Sequence, residues 1–203
     1  MKISAKTKTL LLKIVIHLAA LLPIINLYNN AFADQLGADP VKAVIQYTGI
    51  GAFNLLLITL LVSPLAKWLK QSFLMNTRRL LGLYAFTYAL LHLINFIVFD
   101  LQYDFSLLIS EIIKRPYITI GMVAFVLLTL LAVTSLASLK RILGKRWQQI
   151  HNLSYLILLL VGVHFYWSVK SEVSEPILYF VMSFILLAWR KQKIQRCFPL
   201  NKN

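Results

Sequence analysis

The sequence predicts an all-α membrane protein, a bundle of six transmembrane helices, and three observations carry that reading. Of its 203 residues 59% are hydrophobic and only 14% charged, with a mean hydropathy of +0.73; soluble domains run at about 45–50% apolar and about 25% charged. Apolar runs approaching the ~20 residues that a helix needs to cross a ~30 Å hydrocarbon core recur six times. The basic residues cluster in alternate connecting segments. A soluble enzyme, a disordered region and a disulfide-stapled secreted module are excluded together. Cys197 is the single cysteine, so neither an intrachain disulfide nor a thiolate cluster can form, and in the inner tail it reads as incidental.

The first span covers residues 9–28, with Lys13 near enough to its end to snorkel. The second covers 47–66 and the third 80–99. The fourth, 116–139, opens on Pro116, whose missing N–H costs nothing in a first turn. The fifth is 152–169, and the sixth, 174–190, is short and relies on flanking residues or a thinned bilayer. These spans use nearly the whole chain, which reads as one transmembrane domain, 1–203, with no soluble domain and no internal repeat. Lys2, Lys6 and Lys8, an apolar run and Ala31-Phe32-Ala33 also resemble a signal peptide. The run is longer than an ordinary signal core, so retention as the first span is expected.

Charge sets the orientation. With the N-terminus cytoplasmic, the inner segments 1–13, 67–79, 140–151 and 190–203 hold 17 of the 21 basic residues and no acid. The outer segments hold Lys42, Lys114, Arg115 and Lys170 with all seven acids. Such a bias is the positive-inside signal, and Trp68, Trp147, Trp167 and Trp189 fall at span ends as interfacial anchors do. The formal charge of +14 is therefore chiefly a topology signal with attraction to membrane lipid, and no nucleic-acid partner is expected.

Apart from Lys13 near one boundary, the spans hold almost no ionisable residues except histidines, and intramembrane ionisable groups are costly enough to be functional candidates by default. His92 lies 12 residues beyond Leu80 and His164 lies 12 beyond Asn152, each counted from the inner end of its span. Both imidazoles therefore reach the same depth, about 18 Å in at 1.5 Å per residue. Two neutral imidazoles at one depth between helices suit axial ligation of a b-type haem. Two buried histidines, each hydrogen-bonded to a neighbouring helix, remain the alternative on these residues alone. Zinc fits less well, because no carboxylate or second close histidine completes a tetrahedral site. His151, 13 residues before His164, sits at a depth suited to a second, inner haem. Against that, its side chain points about 140° away from that of His164 on an ideal helix. In addition Arg79, which cannot be an axial ligand, stands at the matching position before His92. His17 is poorly matched in depth as its partner.

Several segments resemble the MsrQ (YedZ) family: TRRLLGLYAFTYALLHL (77–93), LGKRWQQIHNLSYLILLLVGVHFYWSVK (143–170), ADPVKAVIQYTG (38–49), SPLAKW (63–68) and RPYITIG (115–121). The resemblance implies a ferric-reductase-like transmembrane fold in the bacterial inner membrane. It further implies electron transfer to a periplasmic molybdopterin methionine sulfoxide reductase, MsrP, for repair of oxidised proteins. The implied donors are the quinone pool or a cytosolic flavin reductase, and the implied cofactors are haem b and FMN. The family's haem histidines fall on His92, His151 and His164.

Arg78 and Arg79, with Lys140, Arg141, Lys145 and Arg146, form two basic inner loops that topology largely explains. An FMN phosphate or haem propionate favours arginine forks, which selects Arg78, Arg79 and Arg146. No Gly-rich dinucleotide fingerprint is present, so direct NAD(P)H binding is not expected. The glycines at 49, 51, 82, 121 and 162 read as close helix approach or haem clearance. A small transporter or proton relay using the same histidines is the competing class, although transporters usually show paired repeats with broken helices. A haem-free anchor for a periplasmic partner is a third reading.

Overall fold

The computed structural model describes residues 4–169 and 173–197; Lys2, Lys170, Glu172 and Lys202, all part of the charge pattern, lie outside the described residues. Within them the secondary structure is entirely helical, with no strand. Five stretches are long and apolar enough to cross a membrane: Ala5–Phe32, Pro40–Trp68, Ser72–Asp100, Pro116–Val133 and Lys145–Ser168. Ser174–Trp189, at 16 residues, reaches about 24 Å and falls short of a full hydrocarbon core. The chain divides into two compact units, Met1–Ile109 and Ser110–Asn203.

In the first unit α1 (Ala5–Phe32) begins where the Ser4 hydroxyl accepts the Thr7 N–H, and it runs unbroken as far as Phe32. Helix α2 (Pro40–Trp68) is capped by the Asp39 carboxylate on the Lys42 N–H, with Pro40 in its first turn. It starts earlier than its hydrophobicity suggests because the polar cap, not the apolar run, nucleates it. A 3-10 turn (Ser72–Thr77), α3 (Arg78–Asn95) and a π segment (Phe96–Asp100) follow as one rod. Lipid gives helices little hydrophobic reason to associate, so close packing and interhelical hydrogen bonds do the joining. Ala20, Tyr84 and Tyr88 form a small core with Ile16, Ile24, Ala52, Leu55 and Leu80 around it. The Tyr88 hydroxyl donates to the Ala20 carbonyl at 2.8 Å, and the Tyr28 hydroxyl to Asn95 Oδ1 at 2.9 Å. Helix α4 (Phe105–Lys114) starts beside Asp104.

In the second unit α5 (Pro116–Val133) stops six residues before the end expected from hydrophobicity at 139. Thr134 is its cap, its carbonyl receives the Trp147 indole N–H at 3.0 Å, and Leu136 is extended. The chain then re-enters a helix as α6 (Ala137–Leu143), a separate element. Gly144, at φ 49° and ψ −120°, breaks α6 from α7 (Lys145–Asn152) in a conformation L side chains avoid. A joint at Leu153 leads into α8 (Ser154–Ser168), then α9 (Ser174–Trp189) and α10 (Lys191–Cys197) follow. Large apolar side chains such as Leu10, Val15 and Leu22 on α1 and Val126, Phe184 and Ile185 in the second unit face outward, as a lipid solvent requires.

Candidate functional site

Each unit is built on one antiparallel helix pair, α2 with α3 and α5 with α8. In the first pair His92 donates from Nδ1 to the Ile45 carbonyl at 2.9 Å. The carbonyl belongs to the early turns of α2, and one turn later stands Gly49. A Cβ at Gly49 would lie 3.0 Å from both Nδ1 and Cε1 of His92. In the second pair His164 donates from Nδ1 to the Tyr117 carbonyl at 2.7 Å, and Gly121 stands one turn on. A Cβ there would lie 2.7 Å from Nδ1 and 2.8 Å from Cε1 of His164. Both imidazoles are half-buried.

These two arrangements are the same arrangement. Carbonyl, glycine and histidine stand at 45, 49 and 92 in one unit and at 117, 121 and 164 in the other, a constant offset of 72. The same offset superposes Gly49-Ile50-Gly51-Ala52-Phe53 on Gly121-Met122-Val123-Ala124-Phe125, and buried Leu56 on buried Leu128. The expectation of no internal repeat is therefore corrected. The repeat is hard to see in sequence because most of its shared positions are interchangeable apolar residues, and only the Gly and His positions are chemically distinctive.

The hydrogen bond has a chemical consequence. With its proton on Nδ1 and held by a backbone carbonyl, a neutral imidazole carries its lone pair on Nε2, the nitrogen suited to a metal. Opposite each ring there is a glycine instead of a side chain. Donor set and steric clearance thus fit a haem ligand at His92 and at His164.

His151 is built differently. Its Nε2 lies 3.1 Å from the Thr134 hydroxyl and its ring stacks on Trp147 at 4.0 Å. Thr134 spends its single hydroxyl proton on the Leu130 carbonyl at 2.7 Å, so toward His151 the oxygen is an acceptor. That places the imidazole proton on Nε2, the reverse of the other two. For His151 to bind iron through Nε2, this bond to Thr134 would have to break. Arg79, at the repeat position of His151, is exposed at the start of α3; Arg78 beside it is half-buried, and Arg146 is exposed on α7. His17 is joined to Tyr84, with Nδ1 2.6 Å from the hydroxyl and the rings edge-on. Sequence reasoning gave Tyr84 no role, since a tyrosine on an apolar face carries no signal of its partner.

The ferric reductase like transmembrane component family matches residues 48–162, which takes in Gly49, His92, Gly121 and His151 and stops two residues before His164. A Cronobacter sakazakii protein named "Protein-methionine-sulfoxide reductase heme-binding subunit MsrQ" is 45% identical over 197 residues, 97% of this chain and 98% of that protein. The chain belongs to the MsrQ family of ferric-reductase-like membrane proteins. An Enterobacter relative of the same name is 44% identical over 97% of this chain and 98% of its own length. A third, from Klebsiella pneumoniae, is 44% identical over 91% of this chain and 92% of its own length. Family membership and the five long apolar helices together make the chain a multi-pass membrane protein.

Proposed function

We propose that this MsrQ-family protein is a haem-b electron-transfer subunit of the bacterial inner membrane, with both termini cytoplasmic, serving a periplasmic molybdopterin methionine sulfoxide reductase of the MsrP kind. The observation that carries the reading is the repeated half-site, in which His92 and His164 each present the tautomer and the glycine clearance that an axial ligand needs. The relatives' printed names, heme-binding subunits of a methionine sulfoxide reductase, support the same cofactor and the same destination. Among the described residues no three His, Cys, Asp or Glu side chains gather as a metal site. An iron held by two histidines therefore takes its remaining ligands from a macrocycle, which favours haem over a bare ion.

The equal depth of His92 and His164 along their spans in the sequence favours them as the residues that would hold the haem, and the group would supply reversible one-electron chemistry when bound. The chain's own work is to hold the imidazoles, keep Nδ1 protonated and exclude water with apolar helices. Reduction of one sulfoxide consumes two electrons and two protons and yields methionine and water, so the subunit turns over twice per repair. The donor is a quinol or a cytosolic flavin reductase. A flavin mononucleotide on the inner side is read at Arg78 and Arg79, whose guanidinium forks suit a phosphate, with Arg146 as a further arginine of the inner face. His151 belongs to an inner haem only if it gives up Thr134.

The test is electron delivery. Dithionite-reduced protein in nanodiscs, mixed anaerobically with MsrP and methionine sulfoxide, reoxidises with two equivalents consumed per methionine formed. Reduced protein that stays reduced in the presence of MsrP and substrate would overturn the proposal.

A further inference from the structure

In a helix interior alanine is favoured over glycine, so a glycine there calls for a reason. We infer that Gly49 and Gly121 are positioning residues for His92 and His164: duplicated backbone contacts that set each imidazole against its carbonyl and thereby the properties of the iron it holds. The inference rests on the haem reading above and adds to it the residues that orient the ligands.

The contact is steric first. The 3.0 Å and 2.7 Å separations from a Cβ at Gly49 and Gly121 both fall on ring atoms of the histidine itself. The ring is also tied by Nδ1 to a carbonyl on the same helix as the glycine, one turn before it. An added methyl therefore cannot be absorbed by swinging a flexible chain end. It pushes the imidazole off its carbonyl or turns its plane. The closer approach is at Gly121, so the larger disturbance is expected there.

Next comes electronics. A hydrogen bond from Nδ1–H makes the imidazole a stronger donor and stabilises ferric over ferrous iron. Weakening that bond raises the midpoint potential and changes the low-spin ferric spectrum. Third, the arrangement is repeated: two helix pairs related by 72 residues share carbonyl, glycine and histidine while the side chains between them have diverged. The molecule supplies its own contrasts. A Cβ at Gly51 would meet Tyr88 Cδ1 at 2.4 Å, a harsher clash that falls on a tyrosine one turn before His92 and not on a histidine ring, and one at Gly82 meets only Thr59 at 3.7 Å.

The experiment compares haem content, midpoint potential and the ferric low-spin electron paramagnetic resonance signal of detergent-purified wild type, G49A, G121A, G51A and G82A. Thermal unfolding is followed alongside. Expected are a raised potential and a shifted signal in G49A and G121A, larger in G121A. Haem occupancy at limiting haem should fall by about tenfold, in the range known for partners that orient a ligand. G51A should lose thermal stability while its haem signal stays that of wild type, and G82A should match wild type in every reading. Should G121A fail to accumulate folded, G49A with its looser contact decides the matter. Wild-type signal and potential in G49A, or a shift in G51A equal to that in G49A, would overturn the inference. Wild-type protein without haem would instead overturn the functional reading on which it rests.

Discussion

His17 and Tyr84 stand 2.6 Å apart, Nδ1 to hydroxyl, and join α1 to α3 within the first unit. A histidine in an apolar helix needs such a partner, because an unpaired polar group in lipid has no water to turn to. Together with the Tyr88–Ala20 and Tyr28–Asn95 bonds it spreads three polar links along α1.

Removing that link should cost little and leave the haem alone. Interhelical hydrogen bonds in membranes average about 0.6 kcal/mol and reach about 1.7 kcal/mol. Tyr84→Phe is expected to lower stability within that range in a denaturing-detergent titration. The His17→Ala/Tyr84→Phe cycle should show coupling of similar size, with the visible spectrum unchanged. Loss of haem in Tyr84→Phe would place this pair in the electron-transfer site itself.

Thr134 is the hydrogen-bond partner of His151 Nε2, and Thr134→Val is the isosteric way to remove that bond. If the haem is held by His92 and His164, as proposed, His151→Ala and Thr134→Val should both keep its b-type bands. Thr134→Val should also weaken the Trp147–His151 stack, seen as a change in tryptophan fluorescence between wild type and variant. A His151→Ala protein that loses all of its haem would contradict the assignment.

Asp104 gives a pH dependence at the start of α4. The Leu107 N–H at 2.9 Å, then the Ser106 hydroxyl at 2.8 Å, hold its carboxyl below the usual carboxylate range. A depressed pKa means that the cap is present above the unfolded-chain pKa of about 3.9 and is lost as pH falls through the lower folded value. Amide exchange at Leu107, corrected for intrinsic rates, should therefore be flat from neutral pH down to about 4 and rise below it. In Asp104→Ala it should be raised at all pH values; a wild-type profile that climbs already between pH 5 and 7 would contradict this account.

Much of the architecture is legible in sequence because lipid imposes it: apolar runs and the lysine and arginine bias locate helices without any knowledge of packing. What sequence misplaces are the ends. The expected fourth span ran to 139, but Trp147 takes the Thr134 carbonyl and stops α5 at Val133, a contact between residues 13 apart that hydropathy cannot register. The candidate histidines were singled out by depth alone, and the glycines by type. Their pairing was not, because Ile45 and Tyr117 act through backbone carbonyls, to which side-chain identity is indifferent. His151, of the right type and depth, has a threonine hydroxyl as the hydrogen-bond partner of its Nε2, a contact equally silent in sequence.

The central claim, that His92 and His164 hold one haem, is tested most directly by reduced-minus-oxidised visible spectra with pyridine haemochrome quantification of wild type, His92→Ala and His164→Ala. The account predicts b-type bands in wild type and their loss in each variant, with thermal stability in the absence of added haem retained. Wild-type haem content in either variant, or wild-type protein without haem after haem-supplemented expression, would contradict it.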